Sequence, residues 1–489
     1  MPLLDRESCT RALEARDARF DGVFFVGIAT TGIYCRPICP ARTTLRRNRR
    51  FFANAAAAER AGFRPCLRCR PELAPGAARV DAVPRLAESA AARIAAGGLN
   101  GRGVDALARE LGVTGRQLRR ALDQELGVSP VELAQTHRLL LAKQLLTDTR
   151  LPMTQVAFAS GFQSLRRFNA LFRARYQLNP AALRRRGARP SAAPDHAVTL
   201  TLAYRPPLDW NALLAFLGAR ATPGVELVDD SGYARTVRLG THAGMVRVSR
   251  HTGARRGMHT TDAVRLEIAA PLVPALVEVR ARIRQLFDLD AEPATIESHL
   301  AASGFARRSS LHRGLRVPGA FDGFELAVRA ILGQQVSVKG ATTLMGRFAE
   351  SFGEPVISGD ARLSRLAATA DRVADAGVAR IRAIGLPTAR AESIRLLARR
   401  VADGQLRIDP NADVRALVRQ LEEIPGVGAW TAEYVAMRAL HWPDAFPASD
   451  LVLRRNAGHL TTAALRRAAE AWRPWRAYAA MQLWMRDRR

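Results

Sequence analysis

Lysine is almost missing from this chain of 489 residues, where Lys143 and Lys339 are the only two. The other basic residues are arginine, a bias that a GC-rich coding sequence produces without any binding function. The shortage of acids is more telling. Against 74 Arg and Lys stand only 45 Asp and Glu, a net charge of +29, which points to a polyanionic partner, with nucleic acid first. Residues 1–190 carry 33 basic and 15 acidic side chains, whereas 191–489 carry 41 and 30, so the excess is concentrated at the front. No segment offers ~18 uninterrupted apolar residues, and Met1 to Leu13 carries Asp5, Arg6 and Glu7 where a leader would be apolar, so neither membrane insertion nor export is expected. No cysteine follows Cys69, which leaves the rest of the chain without a thiol nucleophile or the ligands of an iron-sulfur cluster. A hydrophobic content of 48% excludes a disordered polycation, and at ~150 residues per domain the length predicts three or four folded units.

Four of the five cysteines fall in one window, as Cys35-x3-Cys39 and, 26 residues later, Cys66-x2-Cys69. Each close pair can chelate from a single turn, and the metal then joins the two turns, so the spacing reads as a tetrahedral zinc site. Buried thiols or disulfides would not need paired spacing, and a reducing compartment disfavours disulfides. The flanking sequence, Thr30-Thr31-Gly32-Ile33-Tyr34-Cys35-Arg36-Pro37-Ile38-Cys39 and Gly62-Phe63-Arg64-Pro65-Cys66-Leu67-Arg68-Cys69, resembles the zinc domain of the Ada methylphosphotriester repair proteins. That resemblance implies that Cys35 is both a zinc ligand and the nucleophile that accepts a methyl group from an alkylated DNA phosphate. It also implies phosphate contacts from Thr31, Arg42 and Arg64. Zinc holds the sulfur as a thiolate, so no general base is needed. Methylating one sulfur changes the formal charge of a four-thiolate site from about −2 to about −1, which lowers repulsion toward DNA.

From Val80 to about Leu183 the apolar spacing is helical, and an internal repeat appears at an offset of 49 to 50 residues. Leu107-Ala108-Arg109-Glu110-Leu111-Gly112-Val113 is echoed by Val156-Ala157-Phe158-Ala159-Ser160-Gly161-Phe162, and Gly127-Val128-Ser129-Pro130 by Gln177-Leu178-Asn179-Pro180. Each copy predicts a helix, a glycine turn and a second helix. The second helices carry Arg116, Arg119, Arg166 and Arg167, suited to phosphates and guanine edges. The tandem order resembles the AraC-type DNA-binding domain.

Farther on, alternating stretches at Val198 to Tyr204 and Met245 to Ser249, with helical ones at Trp210 to Leu217 and Val273 to Leu286, predict a small α+β unit. The last part is helical and contains Ile424-Pro425-Gly426-Val427-Gly428-Ala429-Trp430, where Gly426 and Gly428 suit a tight hairpin with positive φ and the next helix offers its amides to a phosphate. Asp450 follows Trp430 by 20 residues. Together these features resemble the helix-hairpin-helix DNA glycosylases, and in particular the AlkA-type 3-methyladenine enzymes. The resemblance makes Asp450 the catalytic carboxylate and Trp430, Tyr434 and Trp484 the faces that stack on a flipped base. It places Gln335 where the family carries its intercalating wedge. The lysine that backbone-cutting relatives use is replaced by Trp430, which cannot form a Schiff base, so a monofunctional enzyme with no cofactor for base release is expected. The Pro-Cys-His-Arg site of a second Ada methyltransferase is excluded by the missing cysteines.

The expected fold class is therefore multidomain and mainly α: a small zinc-bound α+β domain (1–76), a tandem helix-turn-helix all-α domain (80–187), a linker (188–196), an α+β unit (197–300) and an all-α helix-hairpin-helix glycosylase domain (301–489). The expected function is repair of alkylated double-stranded DNA by base release and by methyl transfer to Cys35, joined to transcriptional regulation with RNA polymerase as a partner. Residence is expected in the bacterial cytoplasm, at the nucleoid. The alternative is a DNA-binding transcription factor with a structural zinc site and an inactive glycosylase-fold half.

Overall fold

The computed structural model describes residues 5–41, 44–76, 86–186, 197–251, 262–306, 310–410 and 412–486. They form two compact units, one holding the described residues of Met1–Ala78, Val83–Pro206 and Arg250–Ala281, the other those of Pro207–Ser249 and Arg282–Arg489. Among the described residues no helix is long and apolar enough to cross a membrane.

The first unit opens with a four-stranded sheet of β1 (Phe25–Ile28), β2 (Ile33–Cys35), β3 (Arg49–Phe52) and β4 (Arg64–Pro65), in the order β3-β1-β2-β4. β1 is antiparallel to both β2 and β3, while β2 and β4 run parallel with Ile33 opposite Arg64 and Tyr34 opposite Pro65. Between β3 and β4 lies the helix Ala55–Arg60, started by the Asn54 side chain, which accepts from the Ala57 amide. Two helix-turn-helix motifs follow. Val104–Glu110 and Gly115–Leu126 form the first, Met153–Ala159 and Leu165–Tyr176 the second, and the 19-residue helix Pro130–Asp148 lies between them in sequence. Capping boxes at Thr114/Gln117 and Ser129/Glu132 fix two of the helix starts. The repeat survives at backbone level: the second helix of each motif ends on a left-handed residue, Gly127 (φ 67°) in one copy and Gln177 (φ 53°) in the other.

The long helix buries residues around its whole circumference because it packs against the zinc domain as well as its own. Lys143, with 1% of its side chain exposed, pairs with the fully buried Glu72, and Arg70 bridges Glu72 at 3.0 Å and Asp148 at 2.8 Å. Glu59 makes a second joint, accepting from Tyr34 Oη at 3.1 Å and Thr136 Oγ1 at 2.9 Å, with Arg175 at 3.9 Å. Strands Ala197–Ala203 and Ala263–Ala269 pair antiparallel in the same unit.

The second unit contains an antiparallel meander, Glu226–Asp229, Gly232–Leu239 and His242–Arg250, and a helical body from Gly323 to Met485 around one apolar core. Three strands escape the sequence reading, Glu226–Asp229, Gly232–Leu239 and Ala263–Ala269. Gly232–Leu239 is buried on both faces and so shows no polar alternation. The helix expected from Val273 begins only at Leu276, because Pro274 holds Ala270–Ala275 in a 3-10 turn.

Burial pushes the Glu59 carboxyl up to about 7, against the opposing pull of Thr136, Arg175 and Tyr34. The folded state therefore favours the neutral acid, so the Glu59 contribution to stability is full below the unfolded value of about 4.3 and is lost as pH rises through about 7. Denaturant unfolding at about pH 5 and about pH 8 should show a smaller difference in Glu59→Gln than in the wild type.

Candidate functional site

Two sites emerge, one in each unit. In the first, parallel pairing of β2 with β4 brings the ends of the two cysteine turns together. Cys35 closes β2, the Cys66 amide donates to Tyr34 O at 3.0 Å, and the Cys39 amide donates to Arg36 O at 3.1 Å. The Sγ atoms of Cys35, Cys39, Cys66 and Cys69 lie within 4.8 Å of one another, all four residues are buried, and none is in a disulfide. Backbone N–H groups of Arg36 and Arg68 point at Cys69 Sγ and Cys66 Sγ, each at 3.4 Å, the outer contacts that thiolate ligands accept. The Arg36 side chain, 1% exposed, donates to Asp21 Oδ1 at 2.8 Å and to Cys69 O at 3.1 Å, which ties the second turn to the strand entry. Four convergent soft donors fit one zinc ion, which Cys35, Cys39, Cys66 and Cys69 hold.

Thr31 is exposed in the β1–β2 turn, and Arg64 lies across from that turn, its amide donating to Gly32 O at 2.8 Å. Both residues stand at the start of β2, the strand that ends at Cys35. Arg42 lies outside the described residues. Arg116 and Arg119 project from Gly115–Leu126, and Arg166 and Arg167 from Leu165–Tyr176, all exposed while Leu118, Leu122, Phe168 and Phe172 face inward.

In the second unit, helix Val414–Glu422 turns through 423–428 into helix Ala429–Ala439. Only one of the two hairpin glycines has positive φ. Gly426 sits at 82°, and a Cβ there would meet Ser393 Oγ at 2.9 Å, whereas Gly428 is extended at −95° because it serves as the N-cap of the next helix. Gln334 clasps the turn, its Nε2 donating to Gly426 O at 2.8 Å and Thr431 Oγ1 at 3.0 Å. That clasp leaves the neighbouring Gln335 exposed at φ 57°.

Asp450 is the N-cap of Leu451–Asn456, and its Oδ1 accepts from the Val452 and Leu453 amides at 3.0 and 2.9 Å. It also receives two indoles: Trp430 Nε1 donates to Oδ2 at 2.9 Å and Trp484 Nε1 to Oδ1 at 3.2 Å. Trp430 and Tyr434 stack nearly parallel, 5.4 Å apart and tilted 8°, and Tyr434 meets Trp484 edge-on at 6.3 Å. Carboxylate and aromatic wall are therefore one construction, built by three helices. The sequence reading missed what stands around the Tyr434 hydroxyl. Arg438 donates to it at 2.6 Å, and the charge of Arg220 also bears on it. Arg438, four residues along the same helix, could have been found by spacing. Arg220, more than 200 positions away, left no signal.

Four sequence families match this chain. They are the metal binding domain of Ada over residues 8–72, a helix-turn-helix domain over 107–186, the AlkA N-terminal domain over 199–322, and the HhH-GPD superfamily base excision DNA repair protein over 328–474. Fold and sites together define a multidomain DNA repair protein that joins an Ada-type zinc domain and a helix-turn-helix regulator to a base-excision glycosylase fold. A probable bifunctional transcriptional activator/DNA repair enzyme AlkA of Mycobacterium tuberculosis is 40% identical over 98% of this chain and 96% of its own, and the chain belongs to that family. DNA-3-methyladenine glycosylase 2 of Escherichia coli is 37% identical over 58% of this chain and 96% of its own length. The Escherichia coli bifunctional transcriptional activator/DNA repair enzyme Ada is 58% identical over 60 residues, 12% of this chain and 17% of its own. DNA is the partner that the helix-turn-helix and base-excision domains share.

Metal analysis of the purified chain should return one zinc per molecule, and Cys39→Ala should lower the retained zinc by about tenfold or more.

Proposed function

We propose that the chain hydrolyses the N-glycosidic bond of alkylated purines such as 3-methyladenine, accepts methyl groups from DNA methylphosphotriesters on Cys35, and binds DNA as a transcriptional activator that engages RNA polymerase. The observation that carries the first activity is the Asp450 carboxylate held between two indole N–H groups beside a stacked aromatic wall.

An N-alkylated purine in DNA is cationic and a good leaving group, so breaking its bond to C1′ needs little general acid catalysis. The bonding pair goes to the base, and the positive charge that develops on the sugar is met by Asp450. Water adds to C1′ and gives its proton to solvent. Trp430, Tyr434 and Trp484 receive the flipped base, Gln335 fills the stack it leaves, and Gly426 and Gly428 lay the hairpin amides against the backbone. With tryptophan at the hairpin position there is no amine for a lyase step, so the product is an abasic site.

For the second activity, zinc keeps the cysteine sulfurs as thiolates at neutral pH. Cys35 Sγ attacks the methyl carbon of the phosphotriester, the carbon–oxygen bond breaks, and a phosphodiester anion leaves. Thr31, Arg42 and Arg64 would position the phosphate. Arg116, Arg119, Arg166 and Arg167 supply the regulatory contacts, and two tandem motifs let one chain reach successive major-groove faces. The division of labour follows the boundaries 1–76, 80–187, 197–300 and 301–489, with residence at the nucleoid in the cytoplasm.

Release of free base from methylated DNA, measured with wild type and Asp450→Asn at one salt concentration, tests the reading. Wild type should release 3-methyladenine, and the variant, whose Asn keeps the helix cap, should lose about a hundredfold in rate while still binding DNA. No release by wild type would favour the alternative, a regulator with an inactive glycosylase fold. After incubation with methylated DNA, mass spectrometry should find a methyl group on Cys35, and its absence would reduce the first domain to a structural zinc site.

A further inference from the structure

A cavity of about 40 Å³ lies within the second unit, lined from strands Glu226–Asp229 and Gly232–Leu239 and from helices Gly323–Leu332 and Ala429–Ala439. Leu217, Leu286, Leu326 and Met345 give it apolar walls. Its charged groups are four arginines, Arg220, Arg235, Arg329 and Arg438, and three acids, Glu226, Asp322 and Glu325. Each acid is already engaged. Arg235 stands 3.6 Å from Glu226 and 2.7 Å from Glu325, and Glu226 also accepts from Tyr233 Oη and from the Thr222 amide. Asp322 accepts from the Glu325 amide at 2.9 Å and lies 3.7 Å from Arg282.

Among the described residues the other three guanidiniums donate only to neutral acceptors. Arg438 donates to Tyr434 Oη at 2.6 Å, to Gly319 O at 2.8 Å and to Pro318 O. Arg220 donates to Phe216 O at 3.3 Å and lies over the Phe216 ring at 3.8 Å. Arg329 donates to Thr342 Oγ1 at 2.8 Å, while its Nη1 is buried and has no partner among the described residues. Cations gathered in a low-dielectric space repel one another, and a buried N–H without an acceptor adds a desolvation penalty. Burial pushes Arg220 down to about 10, with Arg438 and Arg329 adding to the push and Tyr434 opposing it. Burial lowers Arg329 as well, against Tyr434 and Glu226.

The missing element is a negative charge that accepts several N–H groups at once. An oxyanion does this and matches the planar fork of a guanidinium, which a halide does not. The volume takes about three or four oxygen-sized atoms, at roughly 10–15 Å³ for each. We propose that this cavity binds a small oxyanion of the size of bicarbonate or inorganic phosphate, held by Arg329 and Arg220 with Arg438 beside them. Arg438 joins the site to the aromatic wall through its hydrogen bond to Tyr434. No step of base release enters the argument, so the anion site stands or falls apart from the base-excision reading.

All six tryptophans of the chain fall in the second unit, so thermal unfolding of the full-length, zinc-loaded protein followed by tryptophan fluorescence reports on the unit that holds the cavity. At constant ionic strength, ~20 mM bicarbonate or phosphate in place of chloride should raise the unfolding midpoint by about 3 °C. Arg329→Met, which removes the guanidinium and keeps an apolar stem, should abolish the rise. Arg220→Gln should at least halve it, and decides the matter if Arg329→Met does not fold. Arg119→Ala, on a helix of the first unit, should leave the rise intact. Equal midpoints in bicarbonate, phosphate and chloride overturn the proposal. A rise that persists undiminished in Arg329→Met and Arg220→Gln also overturns it, since the anion then sits on arginines elsewhere in the chain as an adventitious ion only.

Discussion

The second unit is organised around one carboxylate. Asp450 caps its own helix with one oxygen and draws in the indoles of Trp430 and Trp484 from two other helices. A half-buried carboxylate needs donors, and an indole offers one N–H and accepts nothing in return, so the three helices are locked in one arrangement without leaving a polar atom unsatisfied. The price of that lock is that Asp450 cannot be varied as a cap alone. The group that fixes the helix start also fixes the aromatic wall, and Tyr434 in that wall accepts from Arg438. The Asp450 carboxylate and the aromatic wall are thus positioned by a single set of hydrogen bonds.

The first unit solves a different problem, which is to make two small domains share one interior. A zinc domain of this size buries little apolar surface of its own and depends on its metal. It gains further support from the helix Pro130–Asp148, through the Glu72–Lys143 pair, the Arg70 bridge to Asp148 and the Glu59 hydrogen bonds. Lys143, one of only two lysines in the chain, ends 3.5 Å from the carbonyl of the zinc ligand Cys66. The loop that binds metal and the helix between the two DNA-reading motifs are therefore joined by direct contact. Buried ion pairs of this kind contribute little net stability, but they hold one geometry, because any displacement leaves a charge without its partner.

Much of this architecture was legible in the chain before any coordinates. The paired cysteines announce a metal site because chelation from single turns demands close spacing, and the structure gathers all four. The helical repeat was legible because both copies need the same turn, although the second uses Gln177 where the first uses Gly127. What failed to show were elements whose environment erases periodicity. Gly232–Leu239 is buried on both faces, and the start of Leu276–Leu286 was hidden by Pro274. The hairpin was seen, but the conformation of Gly428 was not, since a glycine in sequence does not say whether its freedom is used.

The sequence by itself determined the modules and their chemistry: four thiols that can hold only a soft metal, a repeated arginine-bearing helix, and a carboxylate set a fixed distance from a hairpin. These are local facts, carried by spacing over a few tens of residues. Tertiary structure alone decided how groups far apart in the chain share charge. Arg438 donates to the Tyr434 oxygen while the charges of Arg220 and Arg329 bear on it from separate elements, and Lys143 reaches Glu72 across 71 positions. Electrostatic energy depends on distance in space and on the water excluded between groups, and neither quantity is written in the order of residues.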